Sequence, residues 1–546
     1  MLSIYCDRNQ KMKNRLLSVY LAFICATSTL LANDKPKLVI FISVDQMRAD
    51  YLRRFKTSFS GGLKRLVEEG TVFQNAFLNY APSETGPGHA TLSTGCYPWK
   101  SGILSNNWID PTTRREVYCV TDTVAEKVNA EGGGFSPKNL EVTTVGGWLK
   151  SASPASKVIA VSIKDRAAIL MGGHRADYAF WYDSQTGHLV TSEYYTKTDP
   201  AWVKSFNQAN WIEHHVPAAW TTLRSRDYYL RFGPDTVEGE KPWNGSTAFP
   251  HSFSQKRVNE QILRSPYGDQ LVLDFAKAAI RAEQLGQRGS IDMLCISLSC
   301  TDYIGHAFGP DSWEMADQML RLDQSLGAFL SDAEQLIGRG NILLALSADH
   351  AVMPLPEVIA SVKSGSARRI LAQAVINPAI DSLDRLLEHE LHTTEHIIQS
   401  NAFLNYAAAS KAGIDSMELE HRVKEGLLKI DGFADIYFRR ELLDPKTPDR
   451  PYLENFRRGY YATRGEDALV RFCSNCLITN SSTGASHGSV YDYDTHVPVV
   501  FWGTGVDATI VDRSIHTVDI APTLARSLGV SFPPTIDGLP LGEVIH

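Results

Sequence analysis

In the stretch Lys37-Leu-Val-Ile-Phe-Ile-Ser-Val44-Asp45, residues 38–44 are apolar apart from one serine, and an aspartate follows them. A short apolar run between polar residues is typical of a strand that is buried on both faces of a parallel sheet. Three later runs have the same character, and longer helical patterns lie between them. The strands are predicted at 158–163, 291–298 and 342–346, and the clearest helices at 62–69, 268–285, 313–337 and 517–528. This alternation predicts an α/β fold.

Two stretches do not follow the alternation. Residues from about 172 to 265 are rich in Trp, Tyr, His and Pro, and those from about 355 to 480 combine mixed charge with helical patches. We predict that both are insertions that cap the core.

The amino terminus has the order of a secretory signal peptide. Basic residues at 11, 13 and 15 precede an apolar run over 16–24, and small residues follow up to Ala32. We therefore expect a signal peptide at 1–32, a mature domain over 33–546, and a periplasmic or secreted protein. Because Ser and Thr interrupt the short apolar part, no permanent membrane span is expected, although an uncleaved anchor remains the alternative.

Composition limits the kinds of partner. The 546 residues are 43% hydrophobic and 21% charged, which is ordinary for a globular protein. A formal net charge of −7 gives no reason to expect a nucleic-acid partner, because such proteins usually carry a basic surface. Any anionic substrate must therefore be attracted by a local group of charges.

Six cysteines follow the predicted leader, an even number that permits disulfides in an exported protein. The Cys473-Ser-Asn-Cys476 spacing favours a local structural disulfide over a redox or zinc motif. Cys295 lies inside an apolar run, where a buried thiol is expected.

Acidic and histidine side chains follow several of the predicted strands. Asp302 and His306 are four residues apart, which places both on one side of a helical turn. In open α/β sheets ligands collect at the carboxyl ends of the strands, and zinc accepts imidazole nitrogen and carboxylate oxygen. One set is therefore suited to zinc: Asp45, Asp302, His306, Asp349, His350 and His487.

The segment Ser83-Glu-Thr-Gly-Pro-Gly-His89 supplies a candidate nucleophile. Thr85 stands where a helix can begin, so its hydroxyl could meet an anion held by the helix amides. A threonine hydroxyl needs a base or a metal to activate it, and zinc would do so. The alternative is that Thr85 only caps the helix.

Together these motifs resemble the PafA-like bacterial alkaline phosphatases of the alkaline phosphatase superfamily. The matching motifs occur in the family's order: Val-Asp45-Gln-Met-Arg48, Thr85-Gly-Pro-Gly-His89, Asn106-Asn-Trp108, Lys164-Asp-Arg166, Thr301-Asp-Tyr-Ile-Gly-His306, Ala348-Asp-His350 and His487-Gly-Ser489. The resemblance implies a three-layer fold with a mostly parallel central sheet, helices on both faces and two capping insertions.

The resemblance also implies a phosphate monoesterase with two Zn²⁺ and small phosphate esters as substrates. Asp302, His306 and His487 would hold one zinc, and the other would be held by Asp45, Asp349, His350 and Thr85. Thr85 would form a covalent phosphothreonine. Asn106, Lys164 and Arg166 would bind the nonbridging phosphoryl oxygens.

Some features favour other interpretations. Ala351 follows His350 where the family usually has glycine; if its φ is positive, strain of roughly 1 kcal/mol would disturb His350. A non-catalytic phosphate-binding relative therefore remains a minor alternative.

A phosphodiesterase or nucleotide pyrophosphatase of the same superfamily is a nearer alternative, and Lys164 and Arg166 argue against it. Cys96-Tyr-Pro-Trp-Lys100 imitates a sulfatase motif but follows Thr85 and ends in Lys instead of Arg.

Overall fold

The computed structural model describes residues 35–362, 365, 367–399 and 402–545. The predicted signal peptide, 1–32, lies outside these residues. Within them, no helix has the length and apolar character that crossing a membrane requires.

A ten-stranded sheet forms the centre of the molecule. Its strands, in chain order, are β1 (Leu38–Val44), β2 (Thr71–Phe77), β3 (Lys127–Val128), β4 (Val158–Ser162), β5 (Tyr178–Asp183), β6 (His188–Ser192), β7 (Asp292–Leu298), β8 (Ile342–Ser347), β9 (His496–Gly503) and β10 (Thr509–His516). They lie in the order β10-β2-β9-β8-β1-β7-β4-β5-β6-β3. The four predicted strands are neighbours at the centre, β8-β1-β7-β4, and are parallel. Antiparallel pairs join β9 to β8 and β2, and β6 to β5 and β3.

Side chains alternate across the sheet and bury two separate apolar layers. Even-numbered residues of β1, such as Ile40, pack with helices Gly62–Glu69, Pro266–Ala282 and Trp313–Ile337. Odd-numbered residues, such as Phe41, pack with helices on the other face: Thr85–Thr94, Val145–Ala152, Asp165–Gly172 and Ile520–Leu528. The predicted α/β fold with helices on both faces is confirmed. The predicted helix at 517–528 begins as a 3₁₀ turn, Thr517–Asp519.

The two stretches outside the alternation differ in form. In 172–265, β5 and β6 continue the central sheet, and short helices and a ribbon of Ala219–Trp220 with His251–Ser252 follow. In 355–480, helices Asn377–Glu390 and Ser416–Leu427 enclose an apolar cluster of their own.

The remaining elements are short. The α-helices are Asp50–Arg54, Pro98–Ser101, Ala201–Gln208, Trp211–His215, Arg226–Tyr229, Val258–Gln261, Cys300–Phe308, Pro356–Val362, Tyr406–Lys411, Arg439–Leu443, Leu453–Gly459 and Asp492–Thr495. The other ribbons pair Asn107–Ile109 with Glu116–Tyr118, Arg368–Leu371 with Cys476–Thr479, Ile398–Gln399 with Phe403–Leu404, and Phe433–Phe438 with Ala468–Phe472.

The predicted local disulfide and the predicted buried thiol of Cys295 are both present. Cys473 and Cys476 form a disulfide, with their Cα atoms 5.4 Å apart. Cys96, Cys119, Cys295 and Cys300 are free and buried.

Candidate active site

The candidate residues lie at one edge of the sheet. Asp45, Lys164, Asp302 and Asp349 come shortly after β1, β4, β7 and β8 respectively, and these parallel strands all end at the same edge. The helix Thr85–Thr94 begins there as well. Direct contacts connect nine of the ten predicted site residues, and Asn106 joins them through the backbone N–H of Gly86; the ten are Asp45, Thr85, Asn106, Lys164, Arg166, Asp302, His306, Asp349, His350 and His487.

Thr85 is the first residue of its helix and is only 1% exposed. Glu84 occupies the N-cap position, so the hydroxyl of Thr85 is not used for capping. Its Oγ1 atom lies 3.4 Å from His350 Nε2, 3.5 Å from Lys164 Nζ and 3.4 Å from Arg166 Nη2. The hydroxyl therefore faces two cations and an imidazole.

A glycine in the first turn lets this helix approach the sheet edge. A Cβ on Gly88 would lie 2.3 Å from the carbonyl oxygen of Asp349, a distance that no side chain tolerates. Gly88 thus allows the backbone of the Thr85 helix to pack directly against the segment that carries Asp349 and His350.

Lys164 and Arg166 hold positive charge in a buried place. Burial alone would lower the pKa of Lys164, but Asp302 and Asp45 outweigh it and hold the pKa above its usual range. The Lys164 ammonium lies 2.6 Å from Asp302 Oδ2 and 2.7 Å from Asp45 Oδ2. Burial also opposes the charge of Arg166, but Tyr118 and Asp165 keep its pKa high. Both groups therefore remain cationic.

Asn106 is fixed with its amide nitrogen available. Its Oδ1 accepts a hydrogen bond of 2.7 Å from the backbone N–H of Gly86, and its own backbone N–H donates to Glu84 Oε2 at 2.7 Å. Because the carbonyl end is occupied, the NH₂ end is the part of the side chain that can donate to a ligand.

Asp302, His306 and His487 form one candidate metal centre. One ligand atom from each lies within 4.8 Å of the others. Asp302 Oδ1 is 3.2 Å from His306 Nε2 and 3.7 Å from His487 Nε2. This is the set that the family resemblance implies for the first metal.

The second implied set is only partly reproduced as a cluster. His350 Nε2 lies 3.3 Å from Asp349 Oδ2 and 3.5 Å from Asp45 Oδ1. Within 4.8 Å, however, Asp45 and Asp349 group with His89, and His350 groups with Asp45 and Asp302. Both nitrogens of His89 are occupied, by the carbonyl of Thr85 and the hydroxyl of Ser297, at 2.9 Å each. His350 is therefore the better ligand. His89 is hydrogen-bonded to the backbone of Thr85, and its Nδ1 lies 3.3 Å from Asp349 Oδ2.

The hydrogen bonds of the three candidate histidine ligands fix their tautomers. In each, Nδ1 faces a backbone carbonyl, which can only accept: Ala485 for His306, Ala351 for His350 and Ser83 for His487. Nδ1 must therefore carry hydrogen, and in the neutral ring Nε2 has a lone pair. Burial lowers the pKa of His350 and of His487, which favours the neutral ring.

The carboxylates present lone pairs to these same nitrogens. In the described part of the chain, Asp45 Oδ1 and Asp349 Oδ2 are buried and have no hydrogen-bond donor. Burial and the neighbouring carboxylate of Asp349 raise the pKa of Asp45. Because lone pairs that face one another are stabilised by a cation between them, the residues present fit a metal-binding site.

Ala351 does not cause the strain that its position suggested. It is absent from the non-glycine residues with positive φ in the described chain. Its N–H donates to the carbonyl of Asp494 at 2.8 Å, and its carbonyl accepts from His350 Nδ1. The condition for a strained backbone is therefore not met.

Several contributors to the site had no role assigned from the sequence. Gln46 and His89 lie inside the quoted motifs, and Glu84 directly precedes Thr85, but their contacts depend on side-chain packing. Tyr118 contacts Arg166 from a ribbon that the sequence pattern did not predict.

Comparisons with known proteins identify the family. The sequence profile described as "Type I phosphodiesterase / nucleotide pyrophosphatase" matches residues 39–403. Alkaline phosphatase PhoV of Synechococcus elongatus is 36% identical, over 91% of this chain and 91% of its own length. A Myroides odoratus protein named calcium-transporting ATPase is 37% identical, over 94% of this chain and 95% of its own.

Alkaline phosphatase PafA of Elizabethkingia meningoseptica is 33% identical, over 94% of this chain and 95% of its own length. A crystal structure of PafA superposes with a TM-score of 0.87, at 32% identity, and the match covers 94% of this chain and 99% of that one. The chain therefore belongs to the type I phosphodiesterase and nucleotide pyrophosphatase family of the alkaline phosphatase superfamily, and within it to the PafA-like alkaline phosphatases.

Proposed function

We propose that this protein, a phosphate monoester hydrolase like its alkaline phosphatase relatives, acts through a covalent phosphothreonine on Thr85. The observation that carries the proposal is the position of the Thr85 hydroxyl within 3.5 Å of both Lys164 Nζ and Arg166 Nη2. A phosphoryl group next to this hydroxyl would meet two cations, and a monoester dianion presents more charge to them than a diester does.

The residues of the chain divide the work in two displacements. Thr85 Oγ1 attacks phosphorus and releases its proton to solvent, the bond from phosphorus to the ester oxygen breaks, and that oxygen takes up a proton and leaves as the alcohol. Lys164 and Arg166 favour this step because nearby positive charge stabilises the alkoxide of Thr85. Water then attacks the phosphothreonine, and inorganic phosphate leaves as Thr85 regains its proton. Asn106, Lys164 and Arg166 hold the nonbridging oxygens throughout.

Two zinc ions fit the proposal, since zinc accepts both imidazole nitrogens and carboxylate oxygens as ligands. Asp302, His306 and His487 would hold one ion, and Asp45, Asp349, His350 and Thr85 the other. When bound, such a pair of ions stabilises the charge on the attacking and leaving oxygens. We also propose, from the order of residues in 1–32, that the protein is exported to the periplasm or secreted.

The main alternative is phosphodiester or pyrophosphate hydrolysis, which the family description includes. The name of the Myroides relative adds ATP to the substrates that a test should contain. A diester replaces one nonbridging oxygen by an organic group, which would have to fit where Lys164 and Arg166 already stand. The positions of these two cations therefore favour the monoester.

The experiment compares the wild type with Thr85→Ala and Thr85→Ser. Substrates are an aryl phosphate, its methyl diester, an aryl sulfate and ATP. We expect the wild type to prefer the aryl phosphate, the serine variant to retain appreciable activity, and the alanine variant to lose several orders of magnitude because it lacks the oxygen nucleophile. Acid quenching during turnover should trap phosphate on Thr85, detected by peptide mass spectrometry. A wild type that prefers the diester, or an alanine variant of near-normal activity, would refute the proposal.

A further inference from the structure

Gln46 has an unusual backbone conformation just after the end of β1. It directly follows Asp45, is fully buried, and has a φ of 67°, in the left-handed region that side chains other than glycine rarely adopt. This conformation costs roughly 1 kcal/mol for a residue with a Cβ. Strain of this kind persists when the surrounding structure needs the groups that it positions.

The conformation directs two donors of Gln46 toward two different candidate metal ligands. Its backbone N–H donates to Asp349 Oδ1 at 3.1 Å, and its side-chain Nε2 donates to Asp302 Oδ1 at 2.6 Å. Asp349 belongs to one implied metal set and Asp302 to the other. One residue therefore connects the carboxylates of both sets.

The helix Cys300–Phe308 is shaped to receive this amide. A Cβ on Gly305 would lie 1.8 Å from Gln46 Oε1, so any larger residue would displace the glutamine. In the described chain Gln46 Oε1 is buried without a hydrogen-bond donor. The side-chain amide of Gln46 therefore donates to Asp302 through its NH₂ group, while its carbonyl oxygen has no hydrogen bond. A buried acceptor without a donor is unfavourable, so the packing around Gln46 must hold the amide in this orientation.

The bonds to Asp302 fix the direction of its remaining lone pairs. Lys164 Nζ donates to Asp302 Oδ2 at 2.6 Å, and Gln46 Nε2 donates to one side of Asp302 Oδ1. The free side of Oδ1 then faces His306 and His487, whose Nε2 atoms lie 3.2 and 3.7 Å away. The neutral amide supplies this contact without adding charge among three carboxylates.

We propose that Gln46 is a positioning residue that fixes Asp302 and Asp349 relative to each other and thereby prepares both metal positions. The proposal rests on the two-metal site proposed above and adds a determinant of its metal affinity. It acts through the carboxylates and does not touch the substrate.

The test uses the full-length protein with Gln46→Ala and Gln46→Gly. Both remove the amide, but glycine adopts positive φ without strain. We expect both variants to bind Zn²⁺ about 10–100-fold more weakly in chelator competition, as when a partner of a metal ligand is lost. In the metal-free state the glycine variant should melt at a higher temperature than the alanine variant. If Gln46 had only a structural role, the less stable alanine variant would bind Zn²⁺ more weakly than the glycine variant. We expect instead that both variants lose Zn²⁺ affinity to the same extent.

Gln270→Ala is the matched control. Gln270 also donates to an aspartate, Asp274, at 3.1 Å, on the helix Pro266–Ala282, away from the candidate site. Its zinc affinity should equal that of the wild type. If the alanine variant of Gln46 does not fold, the unstrained glycine variant still provides the comparison.

The two hypotheses fail differently. A wild type that binds no zinc refutes the two-metal site and the role of Gln46 together. A wild type that binds two ions, with Gln46 variants that bind them equally tightly, refutes the role of Gln46 alone.

Discussion

Arg166→Ala should separate monoester from diester hydrolysis. Arg166 Nη2 lies 3.4 Å from Thr85 Oγ1, and Nε of the same guanidinium is buried without an acceptor among the described residues. These two nitrogens form one edge of the guanidinium, which can donate to two phosphoryl oxygens at once. Removing an oriented donor of this kind costs about 2.7–4 kcal/mol in the transition state, or roughly 10²–10³-fold in kcat/KM.

The loss should depend on the substrate. A diester offers one nonbridging oxygen fewer and only one negative charge, so we expect Arg166→Ala to change its hydrolysis less than about tenfold. Lys164→Ala should be less selective because the Lys164 ammonium also lies between the carboxylates of Asp45 and Asp302, 2.7 and 2.6 Å away. Its removal disturbs the candidate metal ligands and hence both reactions.

The assay measures kcat/KM on an aryl phosphate and its methyl diester with the same aryl group, at saturating zinc. Arg175→Ala is the control, since Arg175 is exposed and donates only to Ser151 Oγ at 2.6 Å in the described structure. Equal losses on both substrates for Arg166→Ala would refute the reasoning and favour a phosphodiesterase.

Three further predictions follow from the site and its surroundings. Chelation should abolish turnover and about two equivalents of zinc should restore it, measured by metal analysis with activity; full activity in metal-free protein would contradict the ligand set. Gly88→Ala should displace Asp349 and lower both zinc affinity and activity, because its Cβ would lie 2.3 Å from the Asp349 carbonyl; an unchanged zinc affinity would argue against this packing. Burial raises the pKa of Glu240 to about 8, so stability should fall as pH rises from about 4.5 to 8. Glu240→Gln should remove that dependence, and at pH 9 the variant should unfold at a higher denaturant concentration than the wild type. Identical dependence of stability on pH in the two proteins would refute the raised pKa of Glu240.

The centre of the fold follows from local sequence. The runs at β1, β4, β7 and β8 are mostly apolar because both of their faces are buried, and this property is visible without any structure. The polar residues after them, such as Asp45 and Asp349, could therefore be assigned to one sheet edge. The antiparallel strand β9 was not predicted, since its place between β8 and β2 is decided by long-range packing.

The finer parts of the site depend on contacts between distant residues. Gln46 and Asp302 are 256 positions apart, and no local pattern announces the positive φ that joins them. Ala351 is a case in which the sequence raised a possibility that the structure does not bear out. A glycine common at that position in relatives suggested a left-handed backbone, but the φ of Ala351 is not positive in this chain. Sequence alone named candidate residues that the fold brings together, but it did not name the neighbours that orient them.

The wide spacing of the candidate ligands has a consequence for the life of the polypeptide during synthesis. Asp45 leaves the ribosome early, and its partner Asp349 follows 304 residues later, with His487 later still. Contacts of such high sequence separation form late and slowly in folding. A nascent or partly folded chain would therefore offer no complete binding site, and metal capture would be a property of the finished molecule.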